Sequence, residues 1–196
     1  MLETKQVYDD AEAQRLFVEL DKIDTRYRTK YQRFGKTVEV PRGQAAYTLT
    51  PDIHYNYGRI AAGTPEVRIM DGFMKEITAD VNKALGSNFN TILLNKYLDG
   101  NDCIGAHSDN ENGWAPGTGF ATLSFGASRD FVVKSKETGE SETIAHCRGL
   151  CIHMKHPMNH THTHAVPKRK RCKETRISLT FRHIVEKNKT PDGISV

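Results

Sequence analysis

The chain has 196 residues, enough for one domain with a sizeable core and too few for two domains of ordinary size. Its formal net charge of +4 is small, so the placement of charge says more about partners than the total does. No apolar run reaches membrane-spanning length, no secretory signal begins the chain, and the four cysteines contain no CxxC pair. We expect an intracellular monomer that does not enter membranes, with residues 1–186 as one domain and residues 187–196 as a flexible tail.

Two helical patterns lie in the first half of the chain. Apolar residues recur at helical spacing over residues 16–23, after an aspartate pair at residues 9–10 that can cap a helix. A second pattern begins at residues 64–66, where an N-cap threonine precedes a proline at the first helical position. Its apolar stripe continues over residues 67–85. Between the two helices, residues 26–62 predict short strands and loops.

The second half of the chain predicts consecutive short strands separated by turns. Asp99-Gly100 is typical of the turn of a β-hairpin. Many short strands in a row indicate a sandwich or jelly roll. We therefore predict an α+β protein, with a double-stranded β-helix (jelly roll) core and N-terminal helices packed on one face of it. The predicted strands are residues 91–98, 119–125, 129–134, 142–147, 150–154 and 176–185.

His107-Ser108-Asp109 and the distant His164 are candidate metal ligands. Residues i and i+2 of a strand point to the same side, so His107 and Asp109 at a strand end can face one ion. His164 then has to come from a neighbouring strand. Two histidines and a carboxylate leave the other positions of a divalent metal open, and this is the ligand set of non-haem Fe(II) oxygenases.

The histidine-rich segment before His164 leaves a second metal site open. His160, His162 and His164 alternate, so all three could face one way along a strand and hold zinc as in a hydrolytic site. We prefer His164 alone, because a chain that leaves the metal there can return through the strand that contains Arg176. His160 and His162 are then polar loop residues, and zinc remains an alternative.

Arg176 and Arg182 occupy the same face of the last predicted strand, with Ser178 and Thr180 between them. An inward row with two arginines is costly unless anions meet the charges, and a solvated sheet face is the alternative. A guanidinium binds carboxylates bidentately. With a metal triad upstream, the arginines favour a dianionic co-substrate such as 2-oxoglutarate.

These motifs resemble the AlkB family of Fe(II)- and 2-oxoglutarate-dependent nucleic-acid dealkylases, and above all its eukaryotic double-stranded-DNA repair branch. The resemblance covers roughly residues 31–184, and many matches in the same order make a chance similarity very improbable. One departure is that His162-Thr163 stands where the family often has bulky aromatics, which makes His162 an alternative ligand. The matching stretches are residues 33–36, 40–45, 95–97, 99–100, 107–111, 123–127, 129–131, 164–167 and 176–182.

The resemblance implies the residues that hold the cofactors Fe(II), 2-oxoglutarate and O2. Arg176 would pair with the distal carboxylate of 2-oxoglutarate, and Arg182 would lie near its metal-bound end. The implied iron ligands are His107, Asp109 and His164, and the implied 2-oxoglutarate contacts are Asn95, Tyr97, Arg176 and Arg182.

The resemblance also implies contacts with a damaged base. Glu111 would accept a hydrogen bond from its exocyclic amine, and Tyr57 would stack on it where close relatives have phenylalanine. Phe34 would fill the gap that a flipped base leaves in the duplex, and Arg42 would lie beside the lesion pocket. Residues 26–62 would form a nucleotide-recognition lid.

A dense basic run follows His164 and could hold phosphates. A nuclear-targeting signal or a solvated loop is the alternative reading, and the signal would place the protein in the nucleus if it is eukaryotic. The run consists of Lys168, Arg169, Lys170 and Arg171.

The implied activity is oxidative demethylation of 1-methyladenine and 3-methylcytosine in double-stranded DNA, with release of formaldehyde and succinate. An enzyme of the same class acting on RNA or single strands is the nearest alternative. A zinc-dependent hydrolase and a non-catalytic module that binds damaged DNA are alternatives from other classes.

Overall fold

The computed structural model describes residues 1–27, 30–33, 35–53 and 67–185. Phe34, Tyr57 and the expected tail lie outside the described residues. The helices are α1 (Asp10–Asp21), α2 (Gly72–Leu85) and α3 (Met158–Thr161). The strands are β1 (Leu2–Gln6), β2 (Arg26–Tyr27), β3 (Lys30–Arg33), β4 (Lys36–Glu39), β5 (Gly43–Thr48), β6 (Val67–Ile69), β7 (Thr91–Tyr97), β8 (Ile104–His107), β9 (Phe120–Gly126), β10 (Arg129–Ser135), β11 (Ser141–His146), β12 (Leu150–Met154), β13 (His162–Val166) and β14 (Arg176–Arg182).

Two β-sheets form the body of the described part of the chain. The larger sheet has the strand order β1-β12-β9-β14-β7-β5-β2, with β6 paired to β5, and the smaller sheet has the order β11-β10-β13-β8. Tyr97 of β7 and Phe131 of β10 belong to one buried apolar cluster, so the two sheets face each other across it. The jelly-roll core predicted from the succession of short strands is confirmed.

The two longer helices pack on the other face of the larger sheet. The side chain of Asp9 caps α1 by accepting a hydrogen bond from Glu12 N at 2.8 Å. Leu16 of α1, Ile77 of α2 and Leu179 of β14 share one buried cluster. Each such side chain contributes about 1.5–3 kcal/mol on burial. The predicted arrangement, with helices on one face, is therefore confirmed, and the opposite face of β14 remains free to line a site.

The second helix begins later than the sequence pattern predicts. It starts at Gly72, and its N-cap Asp71 accepts a hydrogen bond from Met74 N at 2.8 Å. Val67–Ile69 is instead strand β6, which pairs in parallel with β5. The helical prediction is wrong for these residues, because pairing with β5 satisfies their backbone groups in a way that the apolar periodicity does not reveal.

The turn at Asp99-Gly100 does not close the predicted hairpin. Strand β7 lies between β5 and β14, whereas the next strand, β8, belongs to the smaller sheet. Gly100 N donates to Cys172 O at 2.9 Å, and a Cβ on Gly100 would lie 1.7 Å from Arg169 O. The glycine therefore permits a close backbone approach where the chain crosses between the sheets.

The segment predicted as a recognition lid contains a core strand. All six residues of β5 are buried in the larger sheet, while β3 and β4 form a separate two-stranded sheet. Strand β5 thus helps to build the body of the fold. A lid role for residues 26–62 stays a prediction.

Candidate metal centre and co-substrate pocket

The structure brings His107 and His164 together from two paired strands. His107 is the last residue of β8, His164 is the central residue of β13, and the two are direct partners in the register of the pair. Their ring centroids are 4.2 Å apart. Directly opposed residues of an antiparallel pair project to the same face, which is why residues so distant in sequence become neighbours.

Asp109 completes the cluster from the segment that follows β8. Asn159 holds this segment from both sides: Asp109 N donates to Asn159 Oδ1 at 2.8 Å, and Asn159 Nδ2 donates to Asp109 O at 3.0 Å. The Asp109 Oδ1 atom lies 3.4 Å from His107 Nε2 and 3.8 Å from His164 Nε2. The three predicted ligands therefore converge.

The spacing and orientation of these donors fit a divalent ion. Two donors that bind one ion at about 2.1 Å each, at angles of 90–110°, lie about 3.0–3.4 Å apart. The separation between His107 Nε2 and Asp109 Oδ1 is in this range, and His164 Nε2 needs only a small movement. His107 Nδ1 lies 2.9 Å from Gly105 O, so it can donate a proton there and leave Nε2 with a free lone pair.

The charges around Asp109 keep its carboxylate ionised. Burial raises the pKa of the Asp109 carboxyl, but Arg182 and the two histidines outweigh burial and hold that pKa well below its usual range. Arg182 Nε and Nη2 both donate to Asp109 Oδ2, at 3.1 and 2.5 Å. The other oxygen, Oδ1, is the one that faces the histidines.

His164 is held in the form that binds metals. Burial, with smaller contributions from the charges of His107 and Arg182, lowers the pKa of His164 to about 4 against the opposing effect of Asp109. The imidazole of His164 is therefore neutral at neutral pH, as a metal ligand must be.

A cavity of about 230 Å³ lies between the two sheets and includes these three residues in its lining. On the larger sheet the cavity is lined by alternate residues of β14, as the strand periodicity predicts. The apolar residues between them are buried under the helices. The lining residues of β14 are Arg176, Ser178, Thr180 and Arg182.

Arg176 is a buried cation whose hydrogen-bond partners among the described residues are neutral. It is 1% exposed, and it donates to Ser124 Oγ at 2.9 Å, to Ser178 Oγ at 3.3 Å and to His146 Nδ1 at 2.9 Å. Burial lowers the pKa of Arg176 to about 10, which still leaves it charged at neutral pH. A cation surrounded in this way favours an anion in the adjoining cavity.

His146 positions this arginine, and the sequence interpretation missed it. The imidazole is fully buried, its Nδ1 accepts from Arg176, and its Nε2 lies 3.0 Å from Leu150 O, to which it can donate. Burial, followed by the charge of Arg176, lowers the pKa of His146 well below its usual value, so it stays neutral. The strands β11 and β14 belong to different sheets, and no local pattern indicates the contact between them.

Three further predicted residues, Arg42, Asn95 and Tyr97, also line the cavity. Asn95 Oδ1 accepts hydrogen bonds from Arg42 Nε at 2.8 Å and from Gln44 Nε2 at 2.9 Å. The ring of Tyr97 lies 5.1 Å from Cζ of Arg176. The residues expected to contact the co-substrate therefore surround one space together with the metal cluster.

Comparison with known proteins decides the family. A family model described as the 2OG-Fe(II) oxygenase superfamily matches residues 1–182. The human DNA oxidative demethylase ALKBH2 is 36% identical over 193 residues, which cover 91% of this chain and 71% of the relative. The mouse protein of the same name is 34% identical over 195 residues, covering 93% of this chain and 80% of the relative. The chain belongs to the AlkB family of 2OG-Fe(II) oxygenases.

The fold of this AlkB-family oxygenase has a counterpart among solved structures. The structure of OsALKBH1 superposes with a TM-score of 0.63 at 12% sequence identity, covering 93% of this chain and 97% of that chain. This likeness supports the architecture alone. Family membership itself implies Fe(II), 2-oxoglutarate and O2 as the cofactors, as the sequence predicts.

Glu111 lies next to the metal cluster, but the described cavity lining does not include it. Its Oε1 accepts from Asn159 Nδ2 at 2.6 Å, and its Oε2 lies 2.6 Å from His160 Nε2. The role predicted for Glu111 at a damaged base remains a prediction.

The prediction that His160 and His162 are loop residues is wrong. His160 belongs to α3, and His162 begins β13, because the backbone of this segment forms a helical turn and then pairs with β10. Among the described residues, the donor groups that cluster with His164 are His107 and Asp109. The alternative zinc set of His160, His162 and His164 is therefore not supported.

The basic run lies on the surface between β13 and β14. All four of its side chains are exposed, and Arg169 Nη1 lies 3.7 Å from Asp130 Oδ1. Arg129 anchors the start of this segment by donating to Pro167 O at 2.7 Å. In the described part of the chain, no helix has the length and apolar character needed to cross a membrane.

Proposed function

We propose that this AlkB-family oxygenase demethylates N-alkylated bases in DNA, with 1-methyladenine and 3-methylcytosine as substrates. The observation that carries the proposal is a single cavity with the cluster of His107, Asp109 and His164 and the buried cation Arg176 in its lining. The relatives named DNA oxidative demethylase support DNA as the substrate.

His107, Asp109 and His164 would hold Fe(II) and leave its remaining positions open to the co-substrate and O2. When bound, iron and 2-oxoglutarate supply the oxidation: one oxygen atom of O2 enters the methyl C–H bond, the other enters succinate, and CO2 leaves. The hydroxymethyl group then departs as formaldehyde and restores the base. The contribution of the chain is to position both substrates and exclude water.

The surroundings of Arg176 suit the distal carboxylate of 2-oxoglutarate. Its neutral partners Ser124, Ser178 and His146 orient the guanidinium without neutralising it. Asn95 and Tyr97 would contact the co-substrate from β7. Arg182, which already bonds Asp109, would keep that carboxylate aligned beside the metal-bound end of the co-substrate.

The substrate base would enter after flipping out of the duplex, because an iron between two sheets is out of reach of a stacked base. Glu111 would then bind the exocyclic amine of the cationic base, and Tyr57 would stack on it. Phe34 would occupy the vacated stack, and Arg42 would lie beside the lesion pocket. We take residues 26–62 as the lid that carries Phe34, Arg42 and Tyr57.

The exposed run of Lys168, Arg169, Lys170 and Arg171 would bind DNA phosphates beside the site. The same run suits nuclear import in a eukaryotic cell. We further propose that the protein acts on double-stranded DNA as a monomer, since a wedge such as Phe34 has a function only where unstacking leaves a gap.

Incubation of the chain with Fe(II), 2-oxoglutarate and oligonucleotides that carry 1-methyladenine tests the activity. Mass spectrometry should show loss of one methyl group per lesion, faster in duplex than in single-stranded or RNA oligonucleotides. Asp109→Ala should abolish turnover and leave DNA binding largely intact. Asp21→Ala, which removes an exposed carboxylate that does not line the cavity, is the matched control. Unchanged methylated mass with the unmodified chain would reject the proposal.

A further inference from the structure

We propose that Glu111, His156 and His160 form a second divalent-metal site, suited to Zn²⁺, on the surface beside the iron centre. The site goes beyond the proposed demethylation and shares no residue with the cluster of His107, Asp109 and His164. One donor atom from each of the three residues lies within 4.8 Å of the others.

The donors are arranged as a small metal site requires. His156 and His160 are four positions apart where α3 begins, and their ring centroids are 5.3 Å apart at an interplanar angle of 77°. Glu111 Oε2 lies 2.6 Å from His160 Nε2. An ion bound to both at about 2.0–2.2 Å needs them about 3.3 Å apart, so the contact must open by less than about 1 Å. The exposure of the histidine side chains permits this movement.

The carboxylate of Glu111 is already oriented towards the histidines. Asn159 is 4% exposed and donates Nδ2 to Glu111 Oε1 at 2.6 Å, which leaves Oε2 facing His160. Lys136 Nζ donates to His160 O at 2.7 Å and fixes the backbone of α3. Hydrogen bonds that hold ligands in this way raise the metal affinity of a site.

The donor chemistry favours zinc or a similar borderline ion. Two neutral imidazoles and one carboxylate give a singly charged ligand set, and a water molecule can complete a tetrahedron. Exposure of the histidines keeps the entry path open. Asn159 also bonds both Asp109 N and Asp109 O. An ion at this second site would therefore further fix the segment that carries Asp109 and Glu111 to α3.

Occupation of this site would have a consequence for the substrate, which rests on the proposed function of Glu111. The ion would take Oε2 of Glu111, and Oε1 is bonded to Asn159. The carboxylate would then no longer be available to the amine of a damaged base. Zinc bound at this site should therefore weaken the binding of a methylated base.

The stoichiometry of zinc binding tests the site directly. Calorimetric titration of the full, metal-stripped chain with Zn²⁺ should give two equivalents. The double variant His156→Ala/His160→Ala should bind one, and Asp109→Ala should keep the equivalent that the double variant loses. His162→Ala, which removes a neighbouring histidine outside the group, should still bind two. One equivalent for the unmodified chain, or two for the double variant, overturns the proposal.

A milder variant guards against misfolding of the double variant. His160→Gln keeps a hydrogen-bond donor for Glu111 but removes the metal-binding nitrogen, and it should weaken the second equivalent at least tenfold. Undiminished affinity of this variant overturns the site. Failure of the chain to demethylate DNA would instead reject the proposed function and leave the zinc stoichiometry unchanged, so the two failures are distinguishable.

The effect on the substrate is measured in the Asp109→Ala chain, which retains only the second site. Its affinity for a 1-methyladenine oligonucleotide should fall at least fivefold when Zn²⁺ is added, while affinity for the unmethylated oligonucleotide should not. Addition of His156→Ala and His160→Ala should remove the zinc effect. Equal affinity with and without zinc overturns the competition between metal and base.

Discussion

Arg176 and Arg182 line the same cavity from one face of β14 but have different hydrogen-bond partners. The three hydrogen-bond partners of Arg176 are neutral and leave its positive charge uncompensated, whereas Arg182 is paired directly with the carboxylate of Asp109. Two arginines of one strand face therefore have different tasks. Arg176 is available to an external anion, and Arg182 orients a carboxylate of the chain itself.

His146 should act as a positioning residue for 2-oxoglutarate. His146→Leu removes the acceptor for Arg176 Nη2, and the KM for 2-oxoglutarate should rise about tenfold with kcat nearly unchanged, since a hydrogen bond to a charged group is worth about 1.5–3 kcal/mol. Steady-state kinetics at varied 2-oxoglutarate measure this separation. His146→Asn should restore part of the affinity.

His153→Leu is the matched control for this substitution, since His153 is also buried but is not a hydrogen-bond partner of Arg176. An equal loss of kcat and affinity in both variants would mean that His146 only supports the fold.

The inward face of β14 could be predicted because strand periodicity is local. Alternation alone separates Arg176 and Arg182 from the apolar residues between them. The contact of His146 with Arg176 could not be predicted. It depends on how two sheets stack, and the two residues are 30 positions apart on strands that do not pair.

At the scale of elements, the short helix α3 supports the metal centre. Asn159 of α3 is 4% exposed and bonds both backbone groups of Asp109, so it fixes the segment that follows β8. The sequence gives no direct sign of this role. Asn159 stands among histidines that are more obvious candidate ligands, and its two bonds to Asp109 are to backbone groups.

Asn159→Ala should weaken Fe(II) binding about 10–100-fold, as loss of a residue that orients a metal ligand typically does. Anaerobic titration with Fe(II) measures the affinity. Thr161→Ala, at the end of the same helix, is the control and should change the affinity less than twofold. Unaltered Fe(II) affinity in Asn159→Ala would show that Asp109 needs no such support.

The basic run of residues 168–171, between β13 and β14, should account for much of the salt dependence of DNA binding. Changing Lys168, Lys170 and Arg171 to Gln should flatten the slope of log affinity against log salt by about 0.9 for each phosphate contact removed. Fluorescence anisotropy over a salt series measures the slope.

The control for this variant removes the same number of charges from the opposite side of the larger sheet, at Lys5, Arg15 and Lys22. If both variants lower the slope equally, the basic segment makes no specific phosphate contact.

Two local features were predicted wrongly from the sequence for physical reasons. Residues 67–69 fit a helical stripe, yet pairing with β5 makes them a strand. The Asp99-Gly100 pair is typical of a hairpin turn, yet here the glycine allows the backbone to approach Arg169 O closely. In both cases a long-range contact competes with a local preference, and local patterns carry no information about it.

For the whole molecule, buried neutral histidines make stability depend on pH. The folded-state pKa of His146 lies well below that of the unfolded chain, so the unfolded state takes up a proton first as the pH falls. His164, with a pKa of about 4, behaves in the same way in the metal-free protein. The contribution of these two histidines to the free energy of unfolding is therefore fully present above about pH 6.5 and declines towards pH 5.

Urea unfolding of the metal-free chain at several pH values should show this decline. In His146→Leu, the slope of the free energy of unfolding against pH should be smaller by about 1.4 kcal/mol per pH unit between pH 6 and 5. The slope is the quantity to compare, since the substitution also changes the absolute stability. Parallel curves for the variant and the unmodified chain would mean that His146 is protonated in the folded state.

The convergence of three distant side chains on one ion, with Arg176 at the same cavity, is tested most directly by anomalous diffraction. Crystals should be grown without oxygen in the presence of 2-oxoglutarate and Mn²⁺, which stands in for Fe(II). A manganese peak bonded at about 2.0–2.3 Å to His107, Asp109 and His164, with the distal carboxylate of 2-oxoglutarate paired to Arg176, is the predicted result. A peak bonded to other residues, or a 2-oxoglutarate carboxylate that does not contact Arg176, would contradict it.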